Sequence, residues 1–336
     1  MMRFPLWLLP LTMVLSGCHS FEPKVEIVPW KGDKKAAVAL TFDDWTPGHP
    51  AIVVPELQKR GMVATFNIIT TTVKDWEPLR HAASLGNEMA NHTATHPHPH
   101  GISFIEEISG AKEKIEAEIP TQKVLTFAYP YGEATDSMKA YLNEKGYVAA
   151  RGTSTPMTDP DFTADGQDYL DTKSYSVMSE TTLSDYAEQL AHVKRVGGML
   201  TFLYHSVFND SIRDFSYAWV VDSIFQQQLD TLNSFDLWVG TFADIVGYHQ
   251  QYTHTKIEKI ESSKNSFVFR LKESQDSLQN RSCPLTVTVN VDDAENIIVE
   301  QNGVTLPVKV VNPQQILFDA HPNKGNITLT KIPFKF

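Results

Sequence analysis

Two stretches of this chain carry residue types that can do chemistry together: Asp43-Asp44 and His92-Thr93-Ala94-Thr95-His96. Imidazoles four residues apart converge on one spot when a helix, or a loop wound like one turn of it, joins them. Two neutral histidine nitrogens and a carboxylate form a ligand set for a divalent metal such as zinc and leave a position open for water. The carboxylates close the strand-forming run Ala37-Val38-Ala39-Leu40-Thr41-Phe42. Adjacent side chains on a strand point to opposite faces, so Asp43 and Asp44 suit two different tasks, one ligand and one base. A bare His-x-x-x-His arises often by chance; the paired aspartates at a strand end give it weight.

The elements that must position these groups follow a repeating order. From Lys35 the pattern is strand, loop, helix. Ala36–Phe42 reads as a buried strand, Pro50–Arg60 as a helix, Met62–Ile69 as a strand, Trp76–Leu85 as a helix and Asn87–Asn91 as the strand delivering the histidines. Ser103-Phe104-Ile105-Glu106 is a capping box opening a helix that runs to about Ile119. Lys123–Ala128 is the next strand, then a helix near Asp136–Lys145, a strand at Tyr147–Ala150 and a long loop over 151–172. Strands at Ser174–Met178 and Met199–Tyr204 flank the helix Thr182–Arg195. A helix around Trp219–Leu232, a strand at Leu237–Val239 and a helix from Phe242 to about Gln251 complete the series. Such alternation predicts an α/β fold with a parallel sheet, closed as a barrel, and chemistry at the strand C-termini. After about Thr255 short β-type runs separated by turns such as Asn302-Gly303 and Lys324-Gly325 predict a small C-terminal antiparallel β-sandwich.

On this scaffold Thr41-Phe42-Asp43-Asp44, His92-Thr93-Ala94-Thr95-His96, Tyr129-Pro130-Tyr131-Gly132 and Leu203-Tyr204-His205 all fall at strand C-termini. In that order they resemble the motifs of the polysaccharide deacetylase family, the NodB-homology group or carbohydrate esterase family 4, over roughly residues 35–250. The resemblance implies a distorted (β/α) barrel of NodB-homology type. It also implies hydrolysis of acetyl groups, usually from N-acetylglucosamine polymers and sometimes from O-acetylated xylan. Carried over residue by residue, it makes Asp44, His92 and His96 the metal ligands and Asp43 the general base. Tyr131 becomes the donor of an oxyanion-holding backbone N–H, and His205 the general acid. The metal it implies is zinc first, with cobalt, nickel or manganese as alternatives. Three positions depart from the family pattern. Ala128 stands where an arginine often orients the base; Trp45 replaces a common glycine; and no Asp-x-x-Asp-Trp segment is visible, with Asp168 and Asp171 in the loop where it would lie. Trp45 and Trp238 are candidates for sugar-stacking platforms, with core packing the competing role.

The whole chain sets bounds. At 336 residues with 42% hydrophobic and 21% charged content it is an ordinary globular composition of about two domains. Its net charge of −11 argues against a nucleic-acid surface. Residues 1–18 read as a lipoprotein signal peptide: Arg3, an apolar stretch from Phe4 to Leu15, then Leu15-Ser16-Gly17-Cys18. Lipid on Cys18 would anchor the chain to a membrane, and His19 in place of Asp points to the outer membrane of a bacterial envelope. Cys283 would then have no disulfide partner. Residues 19–34 are expected as a tether, 35–252 as the deacetylase-like domain and 255–336 as the sandwich. The expected function is metal-dependent deacetylation of a carbohydrate polymer or oligosaccharide. The alternative is a glycan-binding envelope lipoprotein with a degenerate barrel, for which Ala128 is the hint. A zinc peptidase would want His-Glu-x-x-His, which the chain lacks. The sequence leaves the polymer and the oligomeric state open.

Overall fold

The computed structural model describes residues 20–153, 168–213, 216–274 and 283–332. The leader expected at 1–18, with Cys18, and residues 154–167 of the expected long loop lie outside them.

The chain opens with β1 (Lys24–Ile27) and then alternates: β2 (Ala37–Asp43), α1 (Val54–Lys59), β3 (Thr65–Ile68), α2 (Glu77–Ser84), β4 (Glu88–Asn91), α3 (Ala111–Glu118), β5 (Thr126–Ala128), α4 (Asp136–Glu144), β6 (Ala149–Arg151). It continues through β7 (Tyr175–Ser176), α5 (Leu183–Val196), β8 (Met199–Tyr204), β9 (Ser206–Phe208), β10 (Trp219–Val221), α6 (Asp222–Ser234), β11 (Trp238–Gly240) and α7 (Phe242–His254). One parallel sheet has the order β6-β5-β4-β3-β2-β8-β7, with β11 pairing along the first half of β2. The two sheet ends approach through the segment before β7, where Arg151 bridges Thr172. This is the expected distorted (β/α) barrel.

Strand periodicity explains what faces where. On β2, Val38, Leu40 and Phe42 join the large apolar cluster under the helices, while Ala37 and Ala39 join a small inner one with Ala149, Met199 and Phe242. By the two-residue alternation Thr41 and Asp43 therefore point inward as well. The same reading puts Thr65 and Asn67 of β3, Glu88 of β4, Thr126 and Ala128 of β5 and Arg151 of β6 in the lumen. Glu88 binds the floor together: its carboxylate accepts from the Thr65 hydroxyl (2.7 Å), the Thr126 hydroxyl (2.6 Å) and the Ala243 N–H at the start of α7 (3.0 Å).

The C-terminal part is built from β12 (Thr255–Ser262), β13 (Ser266–Glu273), β14 (Leu285–Asn290), β15 (Ile297–Gln301), β16 (Val304–Thr305), β17 (Lys309–Asn312), β18 (Gln315–Ala320) and β19 (Ile327–Lys331). Two antiparallel sheets, β1-β14-β18-β17 and β12-β13-β19-β15-β16, enclose Phe267, Phe269, Val287, Val289, Ile316, Phe318 and Leu329.

The N-terminal stretch corrects an expectation. Residues 19–34 are not a free tether over their described part: Lys24–Ile27 is the edge strand of the C-terminal sheet, in register with Asn290 to Val287 of β14. Lys-Val-Glu-Ile is an alternation too short to stand out between two prolines, and pairing with β14 makes it a strand. Phe21 is buried in the C-terminal core and Trp30 in the barrel, its indole donating to the Gly197 carbonyl at 2.7 Å.

Candidate active site

Asp43, Asp44, His92, His96, Tyr131 and His205 come together in one cleft of about 740 Å³ at the C-terminal ends of the parallel strands. Asp43 is the last residue of β2, His92 follows β4 directly, Tyr131 sits in the turn after β5, and His205 follows β8. Convergence is a consequence of parallel strands: residues remote in sequence but each at a strand end share one mouth.

The two histidines do not lie on a helix. The loop after β4 is wound by Thr93 and His96, both at positive φ (68° and 60°). Polar groups hold it in place. The Asn91 side-chain carbonyl accepts from the Thr93 N–H at 2.8 Å, and Glu107 accepts from Ala94 N–H (3.0 Å), Thr95 N–H (2.9 Å) and the Thr95 hydroxyl (2.7 Å). The rings end up 4.7 Å apart between centroids. Of the nine non-glycine residues with positive φ among the described residues, Asp44, Thr93, His96 and Tyr131 belong to this mouth, and Trp45 follows Asp44 in the turn that leads away from it. Such backbone costs about 1 kcal/mol or more at each residue, and its concentration here marks the region where geometry is held against local preference.

One side chain from each of Asp44, His92 and His96 offers a ligand atom, and these atoms lie within 4.8 Å of one another. The donor chemistry fits a cation. His92 Nδ1 lies 2.8 Å from the Ala128 carbonyl and must donate to it. The Nε2 lone pair then faces Asp44 Oδ1 at 3.6 Å and Asp43 Oδ2 at 3.8 Å. Lone pair against carboxylate is repulsive unless a positive charge sits between. Burial pushes His92 down to about 4, against the pull of Asp43, so the ring is neutral and ready to ligate at neutral pH. His96 is lowered in the same direction, again chiefly by burial.

Asp43 is held differently. Asn67 Nδ2 donates to its Oδ1 at 2.7 Å, and the Arg151 guanidinium pairs with the same oxygen while its Nε donates to the Thr41 hydroxyl at 3.1 Å. Burial would push this carboxyl up, yet Arg151 and the imidazoles of His92 and His205 outweigh it and hold it well below the usual carboxylate range. Asp43 is therefore ionised and fixed in direction.

Arg151 and Asn67 were missed by sequence reasoning, though signals existed. Arg151 is the one charge closing the apolar run Tyr147-Val148-Ala149-Ala150, and Asn67 is, with Thr65, a polar inward member of Thr65-Phe66-Asn67-Ile68. Arg151 also answers the departure at Ala128: the two are register partners on β6 and β5. The small methyl of Ala128 leaves lumen space that the guanidinium from the next strand fills.

The two tryptophans are not brought to the cleft. Trp45 packs edge-on against Phe66 at 5.1 Å and near His49 at 5.9 Å. Trp238 starts β11 opposite Ala37, at the other end of the sheet, and packs on Trp30 (6.5 Å) and Tyr248 (5.2 Å). Strand direction is the reason: a residue that begins a parallel strand faces away from the mouth. Asp168 and Asp171 pair with Lys139 at 3.0 and 3.6 Å on the surface. His98 and His100 are exposed, and His98 stacks on Tyr131 at 3.9 Å.

Known proteins resemble the chain as follows. A gellan lyase from Bacillus sp. is 27% identical over 333 residues, covering 90% of this chain and 13% of its own length. A chitooligosaccharide deacetylase from Sinorhizobium fredii is 31% identical over 137 residues, 38% of this chain and 62% of its own length. The chain thus spans less than two thirds of both relatives. Among solved structures, a Mycobacterium smegmatis protein named for polysaccharide deacetylases aligns with a TM-score of 0.49 at 16% identity, covering 67% of this chain and 93% of that one. The model of the family described as polysaccharide deacetylase matches residues 31–150, the stretch that holds Asp43, Asp44, His92, His96 and Tyr131. Over this stretch the chain is similar to the polysaccharide deacetylase family.

Proposed function

We propose that this protein is a metal-dependent hydrolase that removes acetyl groups from a carbohydrate polymer or oligosaccharide containing N-acetylated sugars. The observation that carries the reading is the placement of a carboxylate–histidine–histidine triad beside an independently anchored aspartate and a third histidine at one mouth. Asp44, His92 and His96 would hold the cation, zinc being the best match to one carboxylate and two imidazoles, with cobalt, nickel or manganese able to use the same set. When bound, the cation supplies Lewis-acid polarisation and makes a water acidic enough to attack near neutral pH.

The chain's own residues do the rest. Asp43, ionised and aimed by Arg151 and Asn67, takes a proton from the attacking water. The Tyr131 N–H stabilises the oxyanion of the tetrahedral carbon, an interaction typically worth about 3–4 kcal/mol. His205 gives a proton to the departing amine as the carbon–nitrogen bond breaks, so acetate and a free amino sugar leave. The described residues lining the cleft include the carboxylates of Asp43, Asp44 and Glu180 and no lysine or arginine, which favours an uncharged sugar over an anionic one. Exposed Tyr131 and Tyr217 offer ring faces at the rim.

Against the degenerate-barrel alternative stands Arg151, whose guanidinium pairs with Asp43 and supplies the charge that Ala128 lacks. An envelope location through lipid on Cys18 is proposed from sequence only; a Cys18→Ser protein that still fractionates with membranes would overturn it. The decisive assay is acetate release from chitin oligomers, peptidoglycan, poly-N-acetylglucosamine and acetylxylan, with and without chelator. Chelator-sensitive release is expected on the N-acetylated substrates, and no release from any of them would refute the reading.

A further inference from the structure

Nothing in the chemistry above explains His49. Its imidazole is completely buried. It is caged by Phe42, Trp45 and Phe66 at centroid distances of 5.4, 5.9 and 5.5 Å. A buried polar ring among aromatics is costly unless both nitrogens are used, and here both are. The Thr46 N–H donates to Nδ1 at 3.2 Å, which fixes the tautomer: the proton is on Nε2. Nε2 lies 2.5 Å from the backbone carbonyl of His205 and donates to it.

The partner of that bond is what matters. His205 follows the last paired residue of β8, Tyr204, which matches Phe42 on β2; beyond that point β2 turns off at Asp44. The His205 ring nitrogen Nδ1 is buried and has no hydrogen-bond partner among the described residues. Among the described residues no side chain hydrogen-bonds this nitrogen, and Tyr217 meets the ring only edge-on at 5.4 Å, so the aim of the imidazole depends on its backbone. A second contact tightens the same junction: a Cβ on Gly48 would lie 1.8 Å from the Val207 carbonyl, so only glycine lets the two loops approach this closely.

We propose that His49 is a positioning residue for His205: it clamps the peptide that carries the general acid. The proposal rests on the deacetylase reading for its kinetic consequence, though not for its structural one. His49→Leu keeps volume and loses the donor; His49→Gln keeps an N–H that can reach the same carbonyl. Misplacement of a reacting group by about 1 Å costs up to about 100-fold. His49→Leu should therefore lower kcat by about 10- to 100-fold on amide substrates, with KM and bound metal unchanged, and His49→Gln should recover most of it. In a His205→Ala background His49→Leu should cost nothing further, because the group it aims is gone. An equal loss in both backgrounds, an unchanged kcat, or a glutamine variant no better than leucine overturns the proposal. A readout independent of turnover separates this from the proposed function. In histidine-labelled 15N spectra, His49→Leu or His49→Gln, whichever folds, is compared with the parent. A changed His205 signal in the leucine protein, or its parental position in the glutamine protein, supports the clamp. The opposite result refutes it, whether or not acetate release is seen.

Discussion

At the residue scale, Asp43 and Asp44 are neighbours with unlike surroundings. Asp43 is buried against Arg151 and Asn67, while Asp44 is half-buried at positive φ with its oxygen facing His92. Asp44→Ala should lower metal content and activity together, whereas Asp43→Asn should keep the metal and lose about 10²–10⁴-fold in kcat, the range for a lost general base. Elemental analysis beside initial rates checks both; retention of metal by Asp44→Ala with its loss from Asp43→Asn would reverse the roles. Arg151 is the second test. Removing one partner of a buried ion pair strands the other, at about 3–5 kcal/mol. Arg151→Met should cost that much stability in urea unfolding, and adding Asp43→Asn should restore most of it, since a neutral amide needs no counterion. A double mutant less stable than Arg151→Met would refute the pairing. That Asp43, Asp44, His92 and His96 would meet at one mouth was legible from type and spacing, because each stands at the end of a recognisable strand. Arg151 was not, because it acts through register between β5 and β6, which no linear pattern displays. Trp238 misled for a similar reason: an aromatic in a strand does not announce which end of the barrel it occupies.

At the element scale, α7 carries more than its amphipathic pattern indicates. Its N-terminal N–H groups meet Glu88 and the Thr65 hydroxyl, and its inner face fills the barrel floor with Phe242, Ile245 and Val246. His249 of the same helix is buried, stacked on Trp30 at 5.1 Å with the Tyr169 hydroxyl 3.0 Å from Nδ1. The stretch 19–34 reads as a tether, so Trp30 had no expected place over that helix face. Burial pushes His249 down to about 4. A depressed histidine keeps its stabilising neutral form above the unfolded-state value near 6.5. Below it, the unfolded chain takes up a proton that the folded chain refuses, so stability falls as pH drops from about 6.5 to 4. The full contribution is roughly 3 kcal/mol, one proton over about 2.5 pH units. His92 shifts in the same direction, so the test isolates one histidine: His249→Phe should flatten, without abolishing, the fall in unfolding free energy between pH 7 and 4.5, measured with chelator present. An unchanged slope would mean that His249 is protonated in the folded state.

At the scale of the whole molecule, the barrel and the sandwich share an interface on the side away from the cleft. The change of texture near Thr255 suggests a clean boundary there, and the structure shows what crosses it. Tyr248 of α7 donates to the Val28 carbonyl at 2.9 Å, accepts from the Thr286 N–H at 3.1 Å and packs in the sandwich core, where Trp238 and Tyr252 also reach. β1 precedes the barrel in sequence yet pairs with β14. A chain ended at residue 252 would leave β1 without its strand partner and uncover Phe21, Tyr248, Tyr252 and Trp238. At about 2 kcal/mol for each large apolar side chain returned to water, the loss is on the order of the whole stability of an ordinary domain. Such a truncation should unfold at a much lower temperature than the full chain, or aggregate. The proposed metal ligands Asp44, His92 and His96 stand at the opposite strand ends. Wherever the truncated chain is folded, calorimetric zinc titration should therefore give an affinity within a few-fold of the full chain. A truncated chain with the parental melting temperature would show the sandwich to be an appendage, and a folded one that binds no zinc would place part of the metal site's support in the sandwich itself.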